Sequence, residues 1–141
     1  EEYRLEGIEV LHHSEYILRL LEQGRLRVNY STEQTFTYHD PCELGRGSGI
    51  YDEPRAVIEA IGKLLEPSHS RKNALCCGSS LANTAINDSQ QLTIARNVAE
   101  DLDNTGADTI VTACPLCKKA ITRGATHKVK DLSEIVAANI K

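Results

Sequence analysis

All five cysteines of this 141-residue chain fall into one ordered pattern: Cys42, then the adjacent pair Cys76-Cys77 followed by Gly78, then Cys114-Pro115-Leu116-Cys117. An odd count in a chain of this length does not suit a secreted disulfide scaffold, which needs pairs and is normally shorter. The thiols are better read as metal ligands or redox groups in a reducing cytoplasm. The fold must therefore bring together three segments that are far apart in sequence.

Composition removes several alternatives. The net charge is −4, aromatic residues make up 4% and Trp is absent, so neither a basic footprint nor stacking platforms for nucleic acid are present. No apolar run approaches the ~20 residues that cross a bilayer, and no signal-peptide pattern opens the chain. The length fits one domain over residues 1–141. The chain contains no Met, which favours a fragment of a longer protein, its C-terminal part.

Hydrophobic patterning predicts alternating strands and helices. Gly7–Leu11 reads as a first strand, with His12 and His13 at its end and Ser14 as the N-cap of a helix to Glu22, closed by Gly24. Residues 25–34 read as a polar loop. Thr35–His39 is a β-branched and aromatic strand stopped by Pro41. Asp52 caps a helix with Pro54 in its first turn and an apolar stripe of Val57, Ile58, Ile61, Leu64 and Leu65, stopped by Pro67. Ala74-Leu75 reads as a short strand, residues 79–88 as a wrapping loop and Ser89–Asn104 as a helix ended at Gly106. Asp108–Ala113 is the clearest buried strand. A helix opening at Cys114-Pro115-Leu116-Cys117 and ending near Gly124 follows, then a strand at Lys128–Lys130 and a helix from Ser133 to Ile140.

The expected fold is α/β: a three-layer parallel sheet of four to five strands with helices on both faces, the cysteines at the C-terminal edge of the strands. Ligands bind at that edge in such sheets. Cys42, Cys76-Cys77 and Cys114 each follow a predicted strand, so the pattern points to one site.

Zinc or a cubane iron–sulfur cluster takes four thiolates, and either leaves one of the five over. Adjacent side chains on an extended backbone point apart, which makes a vicinal pair an awkward chelator of one small ion and a natural one for a larger cluster. Cys114 and Cys117 sit at a predicted helix N-terminus, where the dipole favours thiolates. Cys114-x-x-Cys117 alone also reads as a thioredoxin-type dithiol, which leaves Cys42, Cys76 and Cys77 without a common role. Gly45-Arg46-Gly47-Ser48-Gly49 has neither dinucleotide nor P-loop spacing and reads as a flexible turn, or as glycines that admit a bulky cofactor. Arg46, Arg71, Lys72, Lys118 and Lys119 flank the cysteine segments, as solvated surface or as a docking face for an acidic electron-transfer partner. His39 reads as a hydrogen-bonded strand-end residue. His12 and His13 sit where they could line the site mouth, and His69 and His127 read as loop residues. No serine-protease-like triad, zincin motif or acid–base carboxylate pair is visible.

In order and spacing the five cysteines resemble the cysteine-rich CCG domain of heterodisulfide reductases, of the iron–sulfur subunits of glycolate oxidase and anaerobic glycerol-3-phosphate dehydrogenase, and of lactate-utilisation proteins. Tyr38-His39-Asp40-Pro41-Cys42-Glu43-Leu44-Gly45-Arg46 and Thr112-Ala113-Cys114-Pro115-Leu116-Cys117 look like signature segments of that family, and the likeness runs from about His13 to Ile135. The resemblance implies an oxidoreductase domain of heterodisulfide-reductase type with a noncubane [4Fe-4S] cluster on Cys42, Cys76, Cys77, Cys114 and Cys117, serving electron transfer and disulfide reduction. It also implies zinc as an alternative cofactor with a structural or docking role. Family members usually carry a second CCG domain and a ferredoxin-like segment, and work with a dehydrogenase or electron-transfer subunit. This chain has one copy and no ferredoxin motif.

Overall fold

The computed structural model describes residues 7–79 and 85–141. At its centre are four parallel strands: β1 (Thr35–His39), β2 (Lys63–Leu64), β3 (Thr109–Thr112) and β4 (Lys128–Asp131). Their order is β2-β1-β3-β4, with Phe36 opposite Thr109 and His39 opposite Thr112. The helices are α1 (His13–Glu22), α2 (Asp52–Glu59), α3 (Asp88–Asp103), α4 (Pro115–Thr122) and α5 (Leu132–Ala138). The α/β parallel architecture is as expected, with four strands.

Strand alternation divides the core into two layers. Phe36 and Tyr38 of β1, Val111 of β3 and Ala113 just beyond it meet Val57, Ile58, Ile61, Leu132, Ile135 and Val136, with Ile17, Leu18 and Leu21 of α1 alongside. Ile110 points the other way, to Ala95, Val98, Ala99 and Leu102 of α3 and Ala120 and Ile121 of α4. Strands β1 and β3 are therefore covered on both faces, as parallel strands are when helices cross over them. The chain passes from β1 outward to β2, then back across to β3 on β1's other side. The sheet thus has a topological switch point between β1 and β3, where a crevice opens beyond the strand ends.

Several boundaries differ from the sequence reading. No strand forms over residues 7–11: Ile8 and Val10 are 62% and 74% exposed, with no strand among the described residues to pair with. The N-cap of α1 is His12, not Ser14. His12 Nδ1 accepts from the Ser14 amide at 3.2 Å, and Glu15 closes a capping box by accepting from the His12 amide at 2.8 Å. Helix α2 ends at Glu59, well before Pro67, because Lys63 and Leu64 leave it to pair with β1. Gly62 makes that possible, since a Cβ there would lie 2.5 Å from the Gln34 carbonyl oxygen. Ala74-Leu75 forms no strand either, and follows a 3₁₀ turn at Arg71–Asn73. Asn87 rather than a later residue caps α3, with Gln90 completing the box. The wrapping loop expected over residues 79–88 lies largely outside the described residues.

Candidate functional site

Cys42 follows β1 through Asp40-Pro41, and Cys114 follows β3 through Ala113. Both are thus carried to the switch point by the strands that define it. Cys114 is the N-cap of α4, Pro115 occupies its first turn, and Cys117 lies one turn in with its side chain buried. Cys76-Cys77 arrives from the 71–75 segment, not from a strand. Gly78, at φ +78°, turns the chain immediately after the pair, and a Cβ on it would meet Ile94 of α3 at 3.0 Å.

Cys42, Cys77, Cys114 and Cys117 line one cavity of about 220 Å³, together with Glu43, Ser79 and Leu116. Cys76 is exposed and does not line this cavity, though its charge contributes to raising the Cys42 pKa. A second cavity of about 580 Å³ is also lined by Cys42, Cys114 and Cys117, together with His12 and Glu15 at the start of α1. Among the described residues, no three His, Cys, Asp or Glu side chains converge on a point as ligands of one ion would. The thiols frame a space instead.

Cys77 and Cys117 are both buried, with sulfurs 3.3 Å apart, within S–H···S hydrogen-bond reach. The hydrogen bond between them holds the Cys77 pKa down at about 6 against the opposing effect of burial, and the same bond and burial push Cys117 up. Burial, then the neighbouring Cys76 charge, raises Cys42. A site with these properties retains soft, ionisable sulfur donors at neutral pH and shields two of them from solvent.

The glycine run is not a loose loop. Glu43–Gly47 forms a π-helical turn, and Gly45 lies against the Tyr51 ring, which a Cβ would approach to 2.7 Å. The basic residues around the cysteines have local duties. Arg46 donates to the Ala74 carbonyl at 2.7 Å, Arg71 pairs with Asp52 at 2.7 Å, and Lys118 pairs with Glu134 at 2.6 Å. His69 and His127 bond Asp101 and Asp103 in surface loops.

Sequence reasoning missed one feature outright. Arg55, 4% exposed, donates to both oxygens of buried Asp40 at 2.7 and 2.8 Å and to Glu66 at 2.6 and 3.0 Å, with its guanidinium 5.2 Å from the Tyr38 ring centroid. Burial lowers the Arg55 pKa, but the bonds to Asp40 and Glu66 outweigh it and raise it. The signal was an arginine on the otherwise apolar face of α2.

Residues 36–122 match the CCG family, described as a cysteine-rich domain. A probable membrane-anchored ferredoxin of Chromohalobacter salexigens is 38% identical over 139 residues, covering 92% of this chain and 20% of the relative. A dihydromethanophenazine:CoB–CoM heterodisulfide reductase subunit of Methanosarcina mazei is 33% identical over 136 residues, covering 92% of this chain and 33% of the relative. The probable iron-sulfur-binding oxidoreductase FadF of Bacillus subtilis is 31% identical over 150 residues, covering 99% of this chain and 21% of that protein. The chain spans between a fifth and a third of the length of these relatives. With its parallel sheet, its thiols gathered beyond β1 and β3 and a match over most of its length, the chain belongs to the cysteine-rich CCG domain family.

Proposed function

We propose that this domain binds an iron–sulfur cluster for a larger oxidoreductase of heterodisulfide-reductase type, and that the cluster is a noncubane [4Fe-4S] group held by Cys42, Cys76, Cys77, Cys114 and Cys117. The observation that carries the reading is the convergence of four thiols on one cavity of about 220 Å³ at the switch point, with the fifth adjacent in sequence to one of them. The donor set fits such a group. It is sulfur-rich, part of it ionises readily, and four of its thiols line one cavity. Relatives named for iron–sulfur binding and for heterodisulfide reduction support the same reading.

When bound, the group supplies one-electron transfer, and disulfide reduction is the reaction we assign to the parent protein. The chain's own residues do the rest. β1 and β3 fix two cysteine segments to a sheet buried on both faces, the α4 N-terminus favours negative charge at Cys114 and Cys117, and Leu116, 42% exposed, borders the cavity mouth. Because the chain covers only part of each relative, a second CCG domain, a ferredoxin-like segment and a dehydrogenase or electron-transfer subunit belong to the parent protein in this proposal. So does its place in the cytoplasm. Among the described residues no helix is long and apolar enough to cross a membrane.

Cys77→Ser separates the alternatives. Loss of iron and sulfide from the anaerobically reconstituted chain is the expected result. A zinc site that survives on the other four thiols would replace the proposal with a structural or docking role. A Cys114–Cys117 couple that titrates unchanged in a chain free of metal would replace it with dithiol chemistry.

A further inference from the structure

The vicinal cysteines are carried in by neither a strand nor a helix, yet Cys77 sits beside Cys117 of α4. Side chains from the first cysteine segment hold them there. The Arg71 amide donates to Asp40 Oδ2 at 2.7 Å, Arg46 Nη1 donates to the Ala74 carbonyl at 2.7 Å, and His39 Nε2 donates to the Leu75 carbonyl at 3.0 Å. Leu75 immediately precedes Cys76.

His39 does more than the other two. It is 4% exposed, on the side of β1 opposite Phe36 and Tyr38, and its register partner on β3 is Thr112. Its Nδ1 lies 3.4 Å from Thr112 Oγ1. Because a carbonyl can only accept, Nε2 carries the proton, and Nδ1 is left to accept from the threonine hydroxyl. One ring thus touches three segments: its own, three residues before Cys42; Thr112, two before Cys114; and Leu75, one before Cys76. We propose that His39 is a positioning residue for the five-cysteine site, its Nε2–H bond setting the vicinal pair against the thiols carried by β1 and β3. The inference rests on the thiols acting as one site. Its main test needs no metal.

The test compares His39→Asn with His39→Gln in the reduced 141-residue chain. A Gln amide nitrogen reaches the place of Nε2, whereas Asn ends near Nδ1. Residue-resolved amide exchange should show Arg71, Asn73 and Ala74 exchanging about fivefold to tenfold faster in His39→Asn. In His39→Gln they should stay near the parent rate, with α5 unchanged in both. Folding of the Gln variant alone is the same rescue and supports the proposal. Equal exchange in the two variants overturns it, and so does failure of both to fold, which would make His39 a packing residue only. Arg46→Gln, at an exposed position, tests the clamp without risk to the core. It should speed the same amides about fivefold, and no change would overturn the clamp. If the parent chain takes up iron, a chelator should strip it about fivefold faster from His39→Asn than from His39→Gln. Equal stripping would overturn the positioning role. A parent chain that takes up no iron refutes the cofactor reading and leaves the exchange contrast to decide this one.

Discussion

His39 is buried, and burial is the main cause that lowers its pKa from the ordinary 6.5. The bond to Leu75 and the Asp40 charge oppose the shift, and the Arg46 charge adds to it. A base whose folded pKa is depressed gives its full contribution to stability above the unfolded value, and that contribution is lost as pH falls below about 6.5 toward the folded value. Urea unfolding of the metal-free chain should therefore show stability dropping by up to about 1.4 kcal/mol per pH unit in that window. In His39→Gln this part of the acid sensitivity should vanish, and an unchanged profile would show that His39 is not held neutral. Arg55 makes a second prediction. Arg55→Met leaves the Asp40 carboxylate, 2% exposed, without its cation, which should cost about 3–5 kcal/mol in urea unfolding. Asp40→Asn in the same chain should recover much of that loss, and strict additivity would mean the pair is not coupled.

At the level of elements, two glycines mark helix ends, Gly124 where α4 meets α3 and Gly106 just beyond α3. A Cβ on Gly124 would lie 2.8 Å from Arg96 Cα and 3.0 Å from the Ala95 carbonyl oxygen, where the end of α4 meets α3. Gly124→Ala should lower the unfolding free energy by about 1–3 kcal/mol, as overpacking against backbone does. Gly106→Ala, at φ +72° with nothing within 4 Å, should cost about 1 kcal/mol through backbone strain alone. Most elements were legible from periodicity. Thr35–His39, the α3 stripe, Thr109–Thr112 and the helix opened by Pro115 each lie within a few residues of the pattern that announced them. The misreadings have a common cause. Gly7–Leu11 and Ala74-Leu75 have strand-like composition, but a strand exists only where another can pair with it. Lys63-Leu64 was invisible as a strand because two residues carry no alternation, and the close approach at Gly62 that seats it is a tertiary fact. The convergence of Cys42 and Cys114 was legible because strand ends in a parallel sheet share an edge, whereas the strand expected before Cys76-Cys77 does not form. The side chains that hold the vicinal pair were not legible, because His39, Asp40 and Arg46 act on backbone carbonyls and amides more than twenty residues away.

Over the whole molecule, the sheet order explains why the site is where it is. β1 and β3 are neighbours in space although β2 and α3 lie between them in sequence, and the reversal in winding leaves the crevice that Cys42 and Cys114 enter. The rest of the fold covers the two faces and brings Cys77 and Cys117 within 3.3 Å of each other. We propose that this arrangement holds a multi-iron cluster. The most direct test is the iron and acid-labile sulfide content of the chain purified and reconstituted without oxygen, with an EPR spectrum of the oxidised state. About four irons and four sulfides per chain, with a paramagnetic signal lost in Cys77→Ser, is the result expected. About one zinc and no sulfide would contradict it.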